Sequence, residues 1–362
     1  MRKFIVYWIL YFFNLLFKPL KIKKNRITFI SYKSNKLEKD FKSISKALEK
    51  EKKYELIYIL TKYENNLLGN IKYLYNCILQ LYYTNTSSII ILDYNNFVIS
   101  NFKKTGVKVI QIWHASGAIK KFGNDIEREY LIKNYDYVIS TSECWTDIYS
   151  KAFNVKKENI VPLGLPRTDV LFSKEKLKKY KKNILHKYPE IKDKKVILYA
   201  PTFRGDHIKG AYIPKIDLQY IKNKIGDDYV IIYKFHPWNE SVDIGESKGI
   251  INGNKEGLIK LFSVSDYLIS DYSSIIYDFT ILGKPIISFV PDIDEYRISR
   301  GFYKDYEKVM PWTICKSENE VVDAILNKEV NVNDIIEFNN RYFKYKDGKS
   351  IERILSFINN LI

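Results

Sequence analysis

VKVIQIWHASGAIKKFG, residues 107–123, is the stretch on which the reading of this chain turns. The run from Val107 to Ile112 has the β-branched, apolar character of a buried strand. It ends abruptly on Trp113-His114, two small residues, a glycine, and then Lys120 and Lys121. The chain has four histidines in 362 residues, so one at the end of an apolar strand calls for a chemical reason.

Working outward, the same pattern recurs on both sides. Arg26 to Ser31 reads as a strand, Leu37 to Lys50 carries helical spacing, Tyr54 to Leu60 is a second strand, Leu67 to Tyr83 is helical, and Ser88 to Leu92 is a short apolar strand. Strands separated by helices predict a parallel sheet covered on both faces. The alternation pauses after Pro166. Residues 173–195, SKEKLKKYKKNILHKYPEIKDKK, are dominated by lysine and suit an exposed helix and a connection. It resumes with strands at Val196–Tyr199, Tyr229–Lys234, Tyr267–Ser270 and Ile286–Val290. The expected fold class is therefore α/β, with two doubly wound Rossmann-like domains facing a cleft that is the natural ligand site. The expected divisions are an apolar and basic segment 1–24, a first domain 25–172, the lysine-rich connection 173–195, a second domain 196–335 and a C-terminal helix 336–362.

Composition narrows the class of partner. Hydrophobic residues make up 46% of the chain, enough for two cores, and the net charge of +17 favours an anionic partner. The lysines are scattered and no nucleic-acid recognition motif is present, so a nucleic-acid-binding module is set aside; salt-steep DNA binding would revive it. Cys77, Cys144 and Cys315 are isolated and lack CxxC spacing, which argues against a disulfide framework or a zinc site and for a reducing, cytoplasmic compartment. From Phe4 to Phe17 every residue but Asn14 is apolar or aromatic, and Lys18, Lys21, Lys23, Lys24 and Arg26 follow. That is short of the roughly 18–20 residues that span a bilayer, and no small-residue cleavage site follows. The expectation is a helix lying in the inner leaflet of the cell membrane with its lysines on anionic headgroups; the alternative is a helix packed on its own protein.

In open parallel sheets ligands bind beyond the carboxyl ends of the strands. The unusual residues cluster there: His114; Pro201-Thr202-Phe203-Arg204; His236-Pro237-Trp238; and Asp271-Tyr272-Ser273-Ser274. Ser273 and Ser274 stand where a helix should begin, a place suited to phosphate, and Asp278 follows one turn on. A helix cap alone would explain the serines, and no capping box is completed. Neither GxxxxGK(S/T) nor GxGxxG occurs, which disfavours P-loop kinases and dehydrogenases. Asp292-Ile-Asp294 is read as a surface turn rather than a metal motif. Trp113 and Trp238 are read as core residues at least as readily as ligand contacts, and His186 and His207 as surface residues.

Six blocks in order then carry a family likeness: Trp113 to Gly123, Tyr-Ala-Pro-Thr-Phe-Arg ending at Arg204, Lys-Phe-His-Pro around His236, Ser-Asp-Tyr-Ser-Ser-Ile-Ile-Tyr-Asp-Phe ending at Phe279, Gly-Lys-Pro-Ile ending at Ile286, and Gly-Phe-Tyr-Lys-Asp-Tyr from Gly301. Over residues 25–340 the chain resembles the CDP-glycerol glycerophosphotransferases of wall teichoic acid synthesis. Its first block is more similar to the primase branch, which adds the first glycerol phosphate to a lipid-linked disaccharide, than to polymerases with Trp-His-Gly-Thr-Pro-Leu-Lys. The short chain points the same way. The resemblance implies a GT-B-like fold, an acceptor-facing first domain, a second domain holding CDP-glycerol, and attack of an acceptor hydroxyl on the β-phosphorus with release of CMP.

The resemblance implies functional weight for His114 and His236, either of which could be the base. His114 is chosen because the acceptor should arrive at its domain. Thr202, Arg204, His236, Ser273 and Ser274 are expected around the donor's phosphates, Asp278 on the glycerol hydroxyls, and Lys120 and Lys121 on the acceptor's diphosphate. No cofactor or protein metal site is expected, although Mg2+ accompanying the diphosphate is compatible with the family's chemistry. The rival enzyme readings are a ribitol- or glycerol-phosphate transferase acting on a teichoic or capsular polymer, and a nucleotide-sugar glycosyltransferase of the same architecture.

Overall fold

The structure, a computed structural model, describes residues 2–62, 66–206, 210–235, 242, 247–328 and 330–362. The chain forms two units, one of residues 1–116, 122–169 and 343–362, the other of residues 117–121 and 170–342.

The first unit is built on a six-stranded parallel sheet of β1 (Lys23–Ser31), β2 (Glu55–Leu60), β3 (Ser87–Leu92), β4 (Lys108–Ile112), β5 (Tyr137–Ser140) and β6 (Ile160–Pro162), in the order β2-β1-β3-β4-β5-β6. Its helices are α1 (Arg2–Phe17), α2 (Lys39–Glu51), α3 (Leu67–Thr86), α4 (Phe97–Phe102), α5 (Thr146–Phe153) and α6 (Pro166–Asp169), with a C-terminal helix Ser350–Asn359. The Ile-rich central strands are buried on both faces, as parallel strands under helices must be. Ile27, Phe29, Ile89, Ile91, Ile110 and Ile112 pack with Phe41, Ile44 and Leu48 of α2 and with Ile354 and Ile358 of the C-terminal helix. On α1, Leu10, Val6, Tyr7 and Phe13 pack with Cys77 and Leu81 of α3, while Phe4, Trp8, Phe12, Leu15 and Leu16 stay exposed. Among the described residues no helix is long and apolar enough to cross a membrane.

The second unit repeats the plan. Parallel strands β7 (Lys195–Tyr199), β10 (Tyr229–Tyr233), β11 (Ile250–Asn252), β12 (Tyr267–Ser270), β13 (Ile286–Phe289) and β14 (Thr313–Cys315) lie in the order β11-β10-β7-β12-β13-β14; β8 (Arg204–Asp206) and β9 (Gly210–Tyr212) form a separate antiparallel pair. Helices α7 (Lys174–Lys187), α8 (Leu218–Ile225), α9 (Leu258–Val264), α10 (Ile275–Thr280) and α11 (Ile293–Arg300) belong to it. On the lysine-rich α7, Ile184 is the buried residue.

Both sheets reverse direction once, between β1 and β3 in the first unit and between β7 and β12 in the second. A crevice opens at such a reversal, because the connections on either side leave for opposite faces.

Candidate functional site

In the first unit, His114 stands just beyond β4, next to the reversal. Its ring stacks on Tyr94, with centroids 4.6 Å apart and planes 8° from parallel. Trp113 is buried, stacking on Phe122 at 5.0 Å and meeting Phe153 edge-on, so it is a core residue. Gly123 closes the block at φ +65, where a Cβ would lie 2.3 Å from the Ala152 carbonyl oxygen; both the backbone and the space demand glycine. His114 is half-buried, with Nδ1 enclosed and free of any hydrogen bond of normal geometry. Burial holds the imidazole well below its ordinary pKa, the positive charges of Lys33 and Arg167 add to the effect, and the Asp93 backbone opposes it. Burial and the nearby cations therefore favour the neutral imidazole.

Around it is a small pocket lined by Ser31, Lys33, Lys36, Lys39, Asp93 and Arg167, among others. Ser31 donates to Asp93 Oδ2 at 2.9 Å, joining the ends of β1 and β3. Burial pushes the Asp93 carboxyl up to about 6, against the Ser31 hydrogen bond and Lys33. Lys33, Asp93 and Arg167 were not singled out from the sequence. For Lys33 and Asp93 the signal is strand order, since they follow β1 and β3, the two strands that flank the reversal.

In the second unit the corresponding place is occupied by an ion cluster. Arg204 donates from Nε and Nη2 to Asp292 at 2.6 and 3.0 Å, and from Nη1 to Asp271 at 2.9 Å and to the Thr202 carbonyl at 2.7 Å. Its guanidinium carbon lies 4.9 Å from the ring centroids of both Tyr272 and Tyr296. Arg204 is thus buried, with four of its five N–H donors taken within the protein. Asp292, expected on a surface turn, is its bidentate partner. Burial raises the Asp271 carboxyl, with Arg204 acting against the shift; at Asp292 the guanidinium outweighs burial and the carboxyl titrates below its usual range. Thr202 donates its backbone N–H to Asp271 at 2.8 Å.

Lys120 and Lys121 belong to this second unit, not to the unit of His114. Lys120 pairs in antiparallel fashion with Phe302, Lys121 N–H donates to the Gly301 carbonyl at 3.0 Å, and Tyr303 N–H donates to the Ile119 carbonyl at 3.0 Å. The first and last of the six sequence blocks thus meet. Lys120 Nζ donates to the Tyr296 hydroxyl at 3.3 Å. Burial lowers its pKa to about 8; Asp271 resists this, while Arg300 and Arg204 assist it. Lys121 is exposed. Ser273 and Ser274 are half-buried ahead of the short α10, and Ser274 makes no side-chain cap bond. Asp278 is buried within that helix. His236, Trp238 and His207 lie outside the described residues, and His186 is exposed on α7. Among the described residues no group of three or more His, Cys, Asp or Glu side chains is placed to hold a metal ion.

Residues 9–360 match the family described as CDP-Glycerol:Poly(glycerophosphate) glycerophosphotransferase. The chain is 31% identical to the teichoic acid ribitol-phosphate primase of Bacillus spizizenii, over 97% of this chain and 95% of that protein. It is 33% identical to the teichoic acid glycerol-phosphate primase of Bacillus subtilis, over 76% of this chain and 74% of that one. Among solved structures, the wall teichoic acid polymerase TagF, as a histidine-to-asparagine variant soaked with CDPG, superposes with a TM-score of 0.76 at 25% identity, covering 98% of this chain and 93% of that one.

Proposed function

Because the chain belongs to the CDP-glycerol:poly(glycerophosphate) glycerophosphotransferase family and so to the transferases of teichoic acid synthesis, we propose that it moves glycerol phosphate from CDP-glycerol to a hydroxyl of an undecaprenyl-diphosphate-linked disaccharide. The acceptor oxygen attacks the β-phosphorus and gives its proton to neutral His114. The bond from that phosphorus to the bridging oxygen breaks, and CMP leaves with the electron pair. The observation that carries this reading is the imidazole of His114 held at a strand end beside a reversal of the sheet, stacked on Tyr94, in a chain whose second unit gathers cations at its own reversal.

On the donor, Lys120 faces the diphosphate as a half-buried ammonium, and Ser273, Ser274, His236 and the Thr202 segment supply further donors. Lys121 sits at the rim, and Asp278 holds the glycerol hydroxyls. Arg204 acts from beneath, fixing Thr202 and Asp271 rather than gripping phosphate itself. Lys33 takes the place first expected for Lys120 on the acceptor side. The enzyme rests on the cytoplasmic leaflet through the outward face of α1 and through Leu68, Ile71 and Tyr75 of α3, which are also exposed.

Turnover of CDP-glycerol with a synthetic disaccharide-diphospholipid, followed by product mass, tests the reaction. One added glycerol phosphate and released CMP are expected, and His114→Asn should lower the rate by about 100-fold or more, within the range of general-base catalysis. Release of UMP or UDP from a nucleotide sugar, or near-normal transfer by the folded variant, would overturn it. The near full-length similarity to a ribitol-phosphate primase favours a second reading, CDP-ribitol as donor, which direct competition between the two donors decides.

A further inference from the structure

We propose that Arg167, at the start of α6, is a positioning residue for His114: it fixes the backbone from which the imidazole projects and so sets both the aim and the basicity of the base. The inference rests on the reading of His114 as that base.

The strand end itself creates the need. Beyond Ile112 the chain leaves the sheet, and the carbonyls of Trp113 and His114 lose their ladder partners in a buried setting, where an unpaired carbonyl is costly. Arg167 supplies both bonds, Nη2 to the Trp113 carbonyl at 2.7 Å and Nη1 to the His114 carbonyl. A planar fork on two successive carbonyls fixes the direction of the intervening peptide, which a single ammonium cannot do. The guanidinium is anchored in turn. Its Nε lies 3.2 Å from Asp40 Oδ2, and its own backbone N–H donates to Asp40 Oδ1 at 2.7 Å, which ties α6 to the first turn of α2. Its side chain is 11% exposed, so the charge is poorly screened and acts on the imidazole nearby.

The charged and titratable groups facing the ring are Lys33, Lys36 and Glu38 between β1 and α2, Asp93 and Tyr94 beyond β3, Lys39 and Asp40 on α2, and Arg167 on α6. Lys33, Lys39 and Arg167 disfavour the imidazolium. Removing the Arg167 charge should raise the His114 pKa and carry the acid limb of the rate profile upward, whereas keeping the charge but losing the fork should not.

Two substitutions separate these effects. Single-turnover transfer from CDP-glycerol, with the diphospholipid acceptor, is followed against pH for Arg167→Lys and Arg167→Gln, with thermal unfolding alongside. For Arg167→Lys we expect a rate on the order of 100-fold lower, the loss that misplacement of a reacting group by about 1 Å brings. Its acid limb stays at the wild-type position and donor KM stays within about twofold. For Arg167→Gln we expect a similar loss with the acid limb moved to higher pH. A rate within about threefold of wild type in folded Arg167→Lys, or a loss carried by KM, would overturn the proposal. So would an unmoved acid limb in Arg167→Gln. Should Arg167→Gln fail to fold, the Arg167→Lys rate and KM still decide. Normal transfer by His114→Asn would sink the reading beneath; an inactive His114→Asn beside fully active Arg167 variants sinks only this inference.

Discussion

Asp93 meets the reversal of the first sheet with a carboxyl that is half satisfied: Ser31 donates to one oxygen, and the other is enclosed without a partner. Burial lifts its pKa to about 6. An unfolded aspartate takes up its proton near 3.9, so the folded state holds the extra proton between about pH 4 and 6. The contribution to stability is complete below about pH 4 and is lost as pH rises through about 6. Asp93→Asn keeps an oxygen for Ser31 to donate to and removes the charge. It should raise stability by roughly 3 kcal/mol at about pH 8, and by on the order of 1 kcal/mol less at about pH 5. Chemical denaturation at the two pH values checks this, and an equal gain at both would show that the ionised carboxylate is not penalised. The residue scale is also where the sequence was least legible. His114 stood out because an apolar strand ran into it, but Arg204 was expected on phosphate, since a cation at a strand end looks the same whether or not two aspartates 67 and 88 residues away consume it. Arg167 offered no strand of usual length before it and passed unremarked.

At the scale of elements, α1 has two apolar faces. Leu10 and its neighbours are spent on α3, as in the alternative of a helix packed on its own protein, yet Phe4, Trp8, Phe12 and Leu15 remain exposed beside the lysines at 18, 21, 23 and 24. Trp8→Glu with Phe12→Glu should weaken binding to anionic vesicles by at least about tenfold, since each large side chain contributes roughly 1.5–3 kcal/mol on burial. The melting temperature should hardly move, whereas Leu10→Glu should unfold the unit. Vesicle sedimentation beside a melting curve reads both, and undiminished binding by the double variant would remove α1 as the anchor. The long elements were legible because their periodicity was: β1, β2, β3, β4, β7, β10, β12 and β13 lie within a few residues of their expected bounds. The strands that went unread are short. β5 has four residues and β6, β8, β9, β11 and β14 have three each; β6, β11 and β14 occupy the edges of the two parallel sheets, and Pro162 in β6 is tolerated because one of its sides needs no partner.

At the scale of the molecule, the order along the chain is not the order of the units. The quoted block is divided, Trp113 and His114 belonging to the first unit and Gly117–Lys121 to the second, and the last twenty residues return to the first. No periodicity announces that return; it follows from the apolar stripe of the C-terminal helix, which completes a core begun some 330 residues earlier. Ile354 and Ile358 are fully buried there, Phe357 meets Tyr137 edge-on at 5.0 Å, and Asp169 accepts from the Ser350 and Ile351 N–H groups at 3.1 and 3.4 Å, capping the helix across sequence. Two buried isoleucines at roughly 1.5–3 kcal/mol each and about 1 kcal/mol for the cap amount to something like 4–7 kcal/mol, comparable with the whole stability of an ordinary domain. A chain ending at residue 342 should therefore lose the cooperative unfolding of the first unit while the second keeps its own, and a peptide of residues 343–362 added in excess should restore it. Differential scanning calorimetry separates the two transitions. If the truncated chain kept both, the helix would be an accessory, and the core of the first unit would have to close without it.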